Sequence, residues 1–176
     1  MVDTSFVIPA SELEVADIAA IKQQVIDALF SVATRLTGLR REELVVRSAL
    51  PATDFGLANE YWETPSLTAN AWTNYFTKQL EEQQFVAFYG VANLSPDPIV
   101  TAIKFKLGKG TGTKTLDVIQ LEDLYTDANR SDGYFKRPII YKERQYVNID
   151  VYAKAAGTEP LLLKALVVEP AGRTTF

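Results

Sequence analysis

Few side chains in this sequence could do chemistry. Its 176 residues include no His and no Cys. Without His the commonest general base is missing, and with it the Ser-His-Asp triad and imidazole-bound zinc or iron. Without Cys there is no thiolate nucleophile, thiolate metal site or disulfide. No Gly-x-Ser-x-Gly elbow is present. Carboxylate chemistry remains. Glu60 with Glu63, and Glu122 with Asp123, are pairs from which a two-carboxylate hydrolase could be built. A chain with 22 acidic residues places acids near one another by spacing alone. These four therefore read as surface acids and the chain as a non-enzyme, with no catalytic, cofactor-binding or metal residue assigned.

Three stretches imitate ligand sites. Gly108-Lys109-Gly110-Thr111-Gly112-Thr113 is rich in glycine, but counting from Gly108 puts Thr113 where a P-loop needs its second Gly, and the dinucleotide fingerprint fails at its third. Strand-like sequence on both sides makes it a hairpin tip. Asp127-Ala128-Asn129-Arg130-Ser131-Asp132-Gly133 has the flavour of a calcium loop. The EF-hand frame, however, places Asp132 where Gly is required and Pro138 where Glu is required, so the stretch reads as a polar surface loop. Tyr61, Trp62 and Trp72 sit in or beside Ala52–Ala71, an irregular stretch by its composition. Large apolar side chains there imply packing over a core or an interface; a surface aromatic patch that stacks on a sugar is the other reading.

Most of the elements that would carry these residues are strands. Phe85 to Tyr89 is apolar on both faces, as a central strand is. Ile99, Thr101, Ile103, Phe105 and Leu107 alternate with Lys104 and Lys106, which marks a strand with one wet side. Strand character resumes over Leu116–Leu121, and over Tyr134–Tyr141 with an interruption at Pro138. Val147, Ile149, Val151 and Ala153 alternate with polar neighbours, and Leu161–Val168 is a last apolar strand. Leu44–Arg47 and Ala71–Leu80 precede the central block. The predicted fold is mainly β: a jelly-roll-like or Greek-key antiparallel sandwich of about eight strands behind one long N-terminal helix. Residues 1–42 form an arm and helix, and residues 43–176 the sandwich domain.

The helix is predicted over Ser11–Thr37, with Ser11 and Glu14 as its capping box and Gly38 as its left-handed stop. Ile18, Ile21, Val25, Leu29, Val32 and Leu36 repeat at threes and fours and make one apolar stripe. Such a stripe covers the sandwich or meets the same helix in other subunits around a symmetry axis. Phe6, Val7 and Ile8 form a short apolar arm, either a frayed terminus or a strand added to a neighbour's sheet edge. The arm and the stripe together are the candidate assembly contacts.

Composition excludes some partners. The formal charge of −4 is spread along the chain, and Arg40, Arg41 and Arg47 are interleaved with Glu42 and Glu43. No basic face for nucleic acid is expected. No run approaches the ~18 apolar residues that a membrane span requires, and Met1–Pro9 lacks the pattern of a signal peptide.

With the N-terminal helix, the Phe85–Gly90 and Gln145–Ala153 strands, the Glu169-Pro170-x-Gly172 close and the lack of His and Cys, the chain as a whole resembles virion structural proteins of tailed phages. The likeness rests on this overall pattern and carries no functional residues over. It implies a capsid cement or decoration protein: a homo-oligomer such as a trimer, assembled in the host cytoplasm, that stabilises a capsid by bridging the major capsid protein or another virion protein. The other class the pattern allows is a receptor- or glycan-binding sandwich of a tail spike or fibre, with Trp62 and Trp72 in a concave patch.

Overall fold

A computed structural model describes residues 7–125 and 132–173. Among the described residues are nine strands: β1 (Val7–Pro9), β2 (Leu44–Ser48), β3 (Ala71–Gln79), β4 (Phe85–Asn93), β5 (Val100–Leu107), β6 (Lys114–Gln120), β7 (Asp132–Tyr141), β8 (Tyr146–Ala153) and β9 (Leu161–Pro170). Three helices accompany them: α1 (Val15–Thr37), α2 (Pro51–Phe55) and α3 (Glu122–Tyr125). The strands form the expected antiparallel sandwich, one sheet ordered β1-β7-β4-β9-β2 and the other β3-β8-β5-β6. From β2 onward the pairing is nested, β2 with β9, β3 with β8, β4 with β7, and β5 with β6. Successive pairs alternate between the sheets, so one long ribbon wraps the core as a jelly roll does.

Alternation along the strands fills the space between the sheets. Val86, Phe88, Ile103, Phe105, Ile149, Val151, Leu163 and Val167 all point into one core. The apolar run at the start of β4 is also explained. Its odd members, Phe85 and Ala87, face away from that core into a second cluster with Leu166, Val168 and the α1 residues Val25, Leu29, Phe30 and Ala33. The molecule thus has three layers: helix, five-stranded sheet, four-stranded sheet. The stripe on α1 packs on its own sandwich over its C-terminal half.

α1 starts later than Ser11. Ala10–Glu12 is a single 3₁₀ turn closed by the Leu13 N–H on the Ala10 carbonyl. Leu13 is extended, with φ −110° and ψ 145°, so the α-helix cannot run back through it. The cap moves three residues on: the Glu14 N–H donates to Asp17 Oδ2 at 3.0 Å. Gly38 ends the helix at φ +73° as expected.

Two other expectations are corrected. Ala52–Ala71 is not wholly irregular, because Pro51 opens α2 and Gly56, at φ +74°, ends it. β6 begins at Lys114 rather than Leu116. β7 runs on past Pro138 as extended backbone, but its ladder with β4 is interrupted there as expected: Ile139 pairs with Phe88 and Tyr134 with Gly90, so Phe135–Pro138 have no partner on β4. The stretch Asp127–Ser131 of the calcium-like loop, and Phe6 of the arm, lie outside the described residues.

Candidate interaction surfaces

Of the candidate assembly residues, Val7 and Ile8 pair within the chain, opposite Phe135 and Tyr134 of β7. Gly133 makes that approach feasible. A Cβ there would lie 2.2 Å from Val7 Cγ1, so no side chain fits beneath β1. The stripe on α1 divides. Val25 and Leu29 are buried on the sheet and Val32 packs against the same cluster, whereas Ile18 and Ile21 stay half-buried. Val15 is 85% exposed and Leu36 45% exposed. Beside the N-terminal half of α1 runs a groove of about 290 Å³, lined among others by Ile8, Ile21, Val25, Tyr89, Phe135 and Pro138.

Tyr61, Trp62 and Trp72 do not form one patch. Trp62 turns inward, with its ring centroid 5.7 Å from Phe55 and 6.2 Å from both Tyr75 and Phe76. Tyr61 is exposed and takes a 3.0 Å hydrogen bond from Asn59 Nδ2. Trp72 lies on the outer face of the four-stranded sheet, edge-on to Tyr152 at 5.4 Å, with Lys104 Nζ 4.2 Å above its ring. That ammonium occupies a face on which a sugar would stack. The long loop brings Trp62 against the core, one of the two placements its composition implied, because α2, which sequence reading missed, folds Phe55 under it. On the same outer face Lys106 pairs with Asp150 at 2.7 Å, and Asn74 Nδ2 donates to Asn148 Oδ1 and Asp150 Oδ1 at 2.8 and 2.9 Å.

The acids read as surface residues behave in two ways. Glu60 is exposed and accepts from the Thr53 N–H and hydroxyl at 2.8 and 2.9 Å. Desolvation pushes its pKa up, but these bonds, with the Ala52 backbone and the Arg47 charge, together outweigh it and leave it below the usual value. Glu63 and Glu122 are exposed. Nothing is described of the Asp123 side chain. Among the described residues no group of three or more His, Cys, Asp or Glu could hold a metal ion. No helix in the described residues is long and apolar enough to cross a membrane.

Two buried charged groups went unnoticed in the sequence. Glu159, 1% exposed, accepts from Asn93 Nδ2 at 2.7 Å, the Val100 N–H at 2.9 Å and the Ile99 N–H. Its own N–H donates to the Thr64 hydroxyl at 2.9 Å, and Asn93 Nδ2 reaches the Tyr125 hydroxyl at 3.1 Å. The carboxylate thereby ties the β8–β9 connection to the β4–β5 connection, while the Glu159 backbone adds the β2–β3 connection and Asn93 adds α3. At the opposite end Arg47 grips Asp54 with two 2.7 Å bonds and Glu169 with one of 2.8 Å. Burial alone would lower the Arg47 pKa, but the Asp54 bonds outweigh it and the two carboxylates hold it well above its ordinary value. Both groups are satisfied by neighbours distant in sequence, for Arg47 from α2 and β9, the pattern of a structural tie.

Comparison with protein-family models, with curated proteins and with solved structures finds no match.

Proposed function

We propose that this chain is a non-enzymatic structural subunit that works by assembling with other protein, of the capsid cement or decoration type that the sequence resemblance implies. The observation that carries this reading is the apolar surface left over once α1 has covered its sheet: Val15, Ile18 and Ile21 on the first turns of the helix, beside the groove bounded by Ile8, Phe135 and Pro138. An apolar helix face beside a groove is what a partner surface looks like. Val15 is turned to solvent and Ile18 and Ile21 are only half covered by their own domain. The receptor- or glycan-binding alternative needs Trp62 and Trp72 in one patch. One is packed in the core and the other lies under a lysine, so that reading loses its support.

The test is sedimentation of native-source lysate through a density gradient, with mass spectrometry of each fraction. The chain is expected in the particle fraction. Ile21→Glu, expressed in the same source, removes about 2 kcal/mol of apolar contact and should lower the particle-bound share roughly thirty-fold. A chain found only at the top of the gradient, or an Ile21→Glu chain bound as well as wild type, overturns the reading.

A further inference from the structure

The two ends of the sandwich carry opposite charge. The β3–β4, β5–β6 and β7–β8 turns lie at one end, since β3 ends beside the start of β8 and Leu107 of β5 pairs with Val147. Lys78, Lys109, Lys114 and Lys142 are exposed there, and among the described residues none has a carboxylate partner. The acids of these turns are engaged: Glu82 with Arg144 at 2.9 Å, Glu81 with Arg173 at 3.8 Å, and Glu143 with the Gln83 N–H at 2.7 Å. Glu42 is an exposed acid at this end too, in the 3₁₀ turn that leads into β2, whose Leu44 pairs with Pro170 at the end of β9. The positions are held: Asn148 Nδ2 donates to the Gly108 carbonyl at 3.1 Å, and Gln79 Nε2 to the Arg144 carbonyl at 3.0 Å.

The other end holds the long connections. Glu63, Asp97 and Glu122 are exposed on three of them, and Glu159 with Asn93 and Tyr125 draws those connections together. Glu14 joins them: Pro9 pairs with Gly133 at the start of β7, so α1 begins at this end. Lys154 is the exposed cation nearby.

We propose that copies of this chain associate head to tail, the acidic end of one seated on the lysine-bearing end of the next. The inference rests on the assembly reading above and names a second copy as the occupant of both ends. Complementary potentials steer encounter and fix register. A contact between two different patches is heterologous, so it closes into a ring or grows into a filament according to the rotation between copies. A net acidic protein with evenly scattered charges would offer no such polarity; among the described residues here, four exposed lysines stand against Glu42 at one end, and Glu14, Glu63, Asp97 and Glu122 stand against Lys154 at the other.

Charge reversal tests it without touching the core. Lys109→Glu with Lys114→Glu and Lys142→Glu makes both ends acidic. Glu63→Lys with Asp97→Lys and Glu122→Lys makes both ends basic. Light scattering at low salt is expected to give wild type at least about twice the monomer's 19.6 kDa, falling to the monomer at about 0.5 M salt, where screening is complete within a few Å. Each triple variant alone should stay monomeric, with near-UV spectra verifying the fold, and an equal mixture of the two should associate again. Wild type that is monomeric at low salt overturns the head-to-tail contact, while the gradient experiment still decides the assembly reading. Oligomers that survive reversal, or a mixture that stays monomeric, also overturn it and leave the α1 groove as the contact between subunits.

Discussion

Tyr75 and Tyr141 show how single groups hold this fold. Both are buried, and each hydroxyl donates to a backbone carbonyl, of Leu161 at 2.8 Å and Lys106 at 2.9 Å. Burial pushes both phenols well above their ordinary pKa, and Tyr125 with them. A folded-state pKa above the unfolded value means that the folded chain keeps a proton the unfolded chain sheds. Stability is therefore undiminished below about pH 10 and falls as pH rises through the unfolded phenol's value. Each such group adds about 1.4 kcal/mol per pH unit to the decline. Urea unfolding across that range should show the fall, and Tyr75→Phe should make it shallower by one group's worth. Equal slopes in the two proteins would mean that the phenol is not protected. These ties were illegible in the sequence for a plain reason: Arg47 and Glu169 lie 122 residues apart. A buried Glu159 looks, in one dimension, like any surface acid.

At the scale of elements the sequence was most legible where one face is dry and the other wet. β5, β8 and the stop of α1 at Gly38 fall where alternation and turn chemistry put them, because burial and φ > 0 leave a periodic or compositional mark. The start of α1 was misread since Ser11 and Glu14 satisfy the capping pattern locally, while Leu13 adopts an extended backbone that no local rule forbids. β1 is the least legible: three residues whose pairing depends on a glycine more than a hundred positions away. That dependence is testable. In Gly133→Ala the new methyl meets Val7 Cγ1 at 2.2 Å and the Ile8 carbonyl at 3.0 Å. The overlap costs about 1–3 kcal/mol if unrelieved. β1 contributes only the half-buried Val7 to the edge of the inter-sheet core, so its detachment is the cheaper response. Amide exchange should show Val7 and Ile8 losing protection while β4 and β9 keep theirs. Retained protection at Ile8 would refute the close approach.

At the scale of the whole molecule, the open question in the sequence was whether the N-terminal helix belongs to the sandwich or to its neighbours. A stripe of period 3.6 says that a face is buried but not against what, so the answer lay in the second face of β4. With Phe85 and Ala87 directed outward, together with Leu166 and Val168 of β9, the five-stranded sheet has an apolar outer surface that requires a cover. Val25, Leu29, Phe30 and Ala33 supply it. Removing residues 1–38 would expose both sides of this contact. At about 2 kcal/mol for each large apolar side chain returned to water, the loss is on the order of the 5–15 kcal/mol that holds a whole domain together. Such a truncation is therefore expected to give no cooperatively folded β-domain, with near-UV signal lost and aggregation from the bared sheet. Leu29→Ala, which empties only the centre of the contact, should cost about 2–5 kcal/mol and leave a folded protein. A truncated chain with native near-UV spectra and a sharp unfolding transition would show the sheet able to stand uncovered, and would return the entire helix to the surface available for partners.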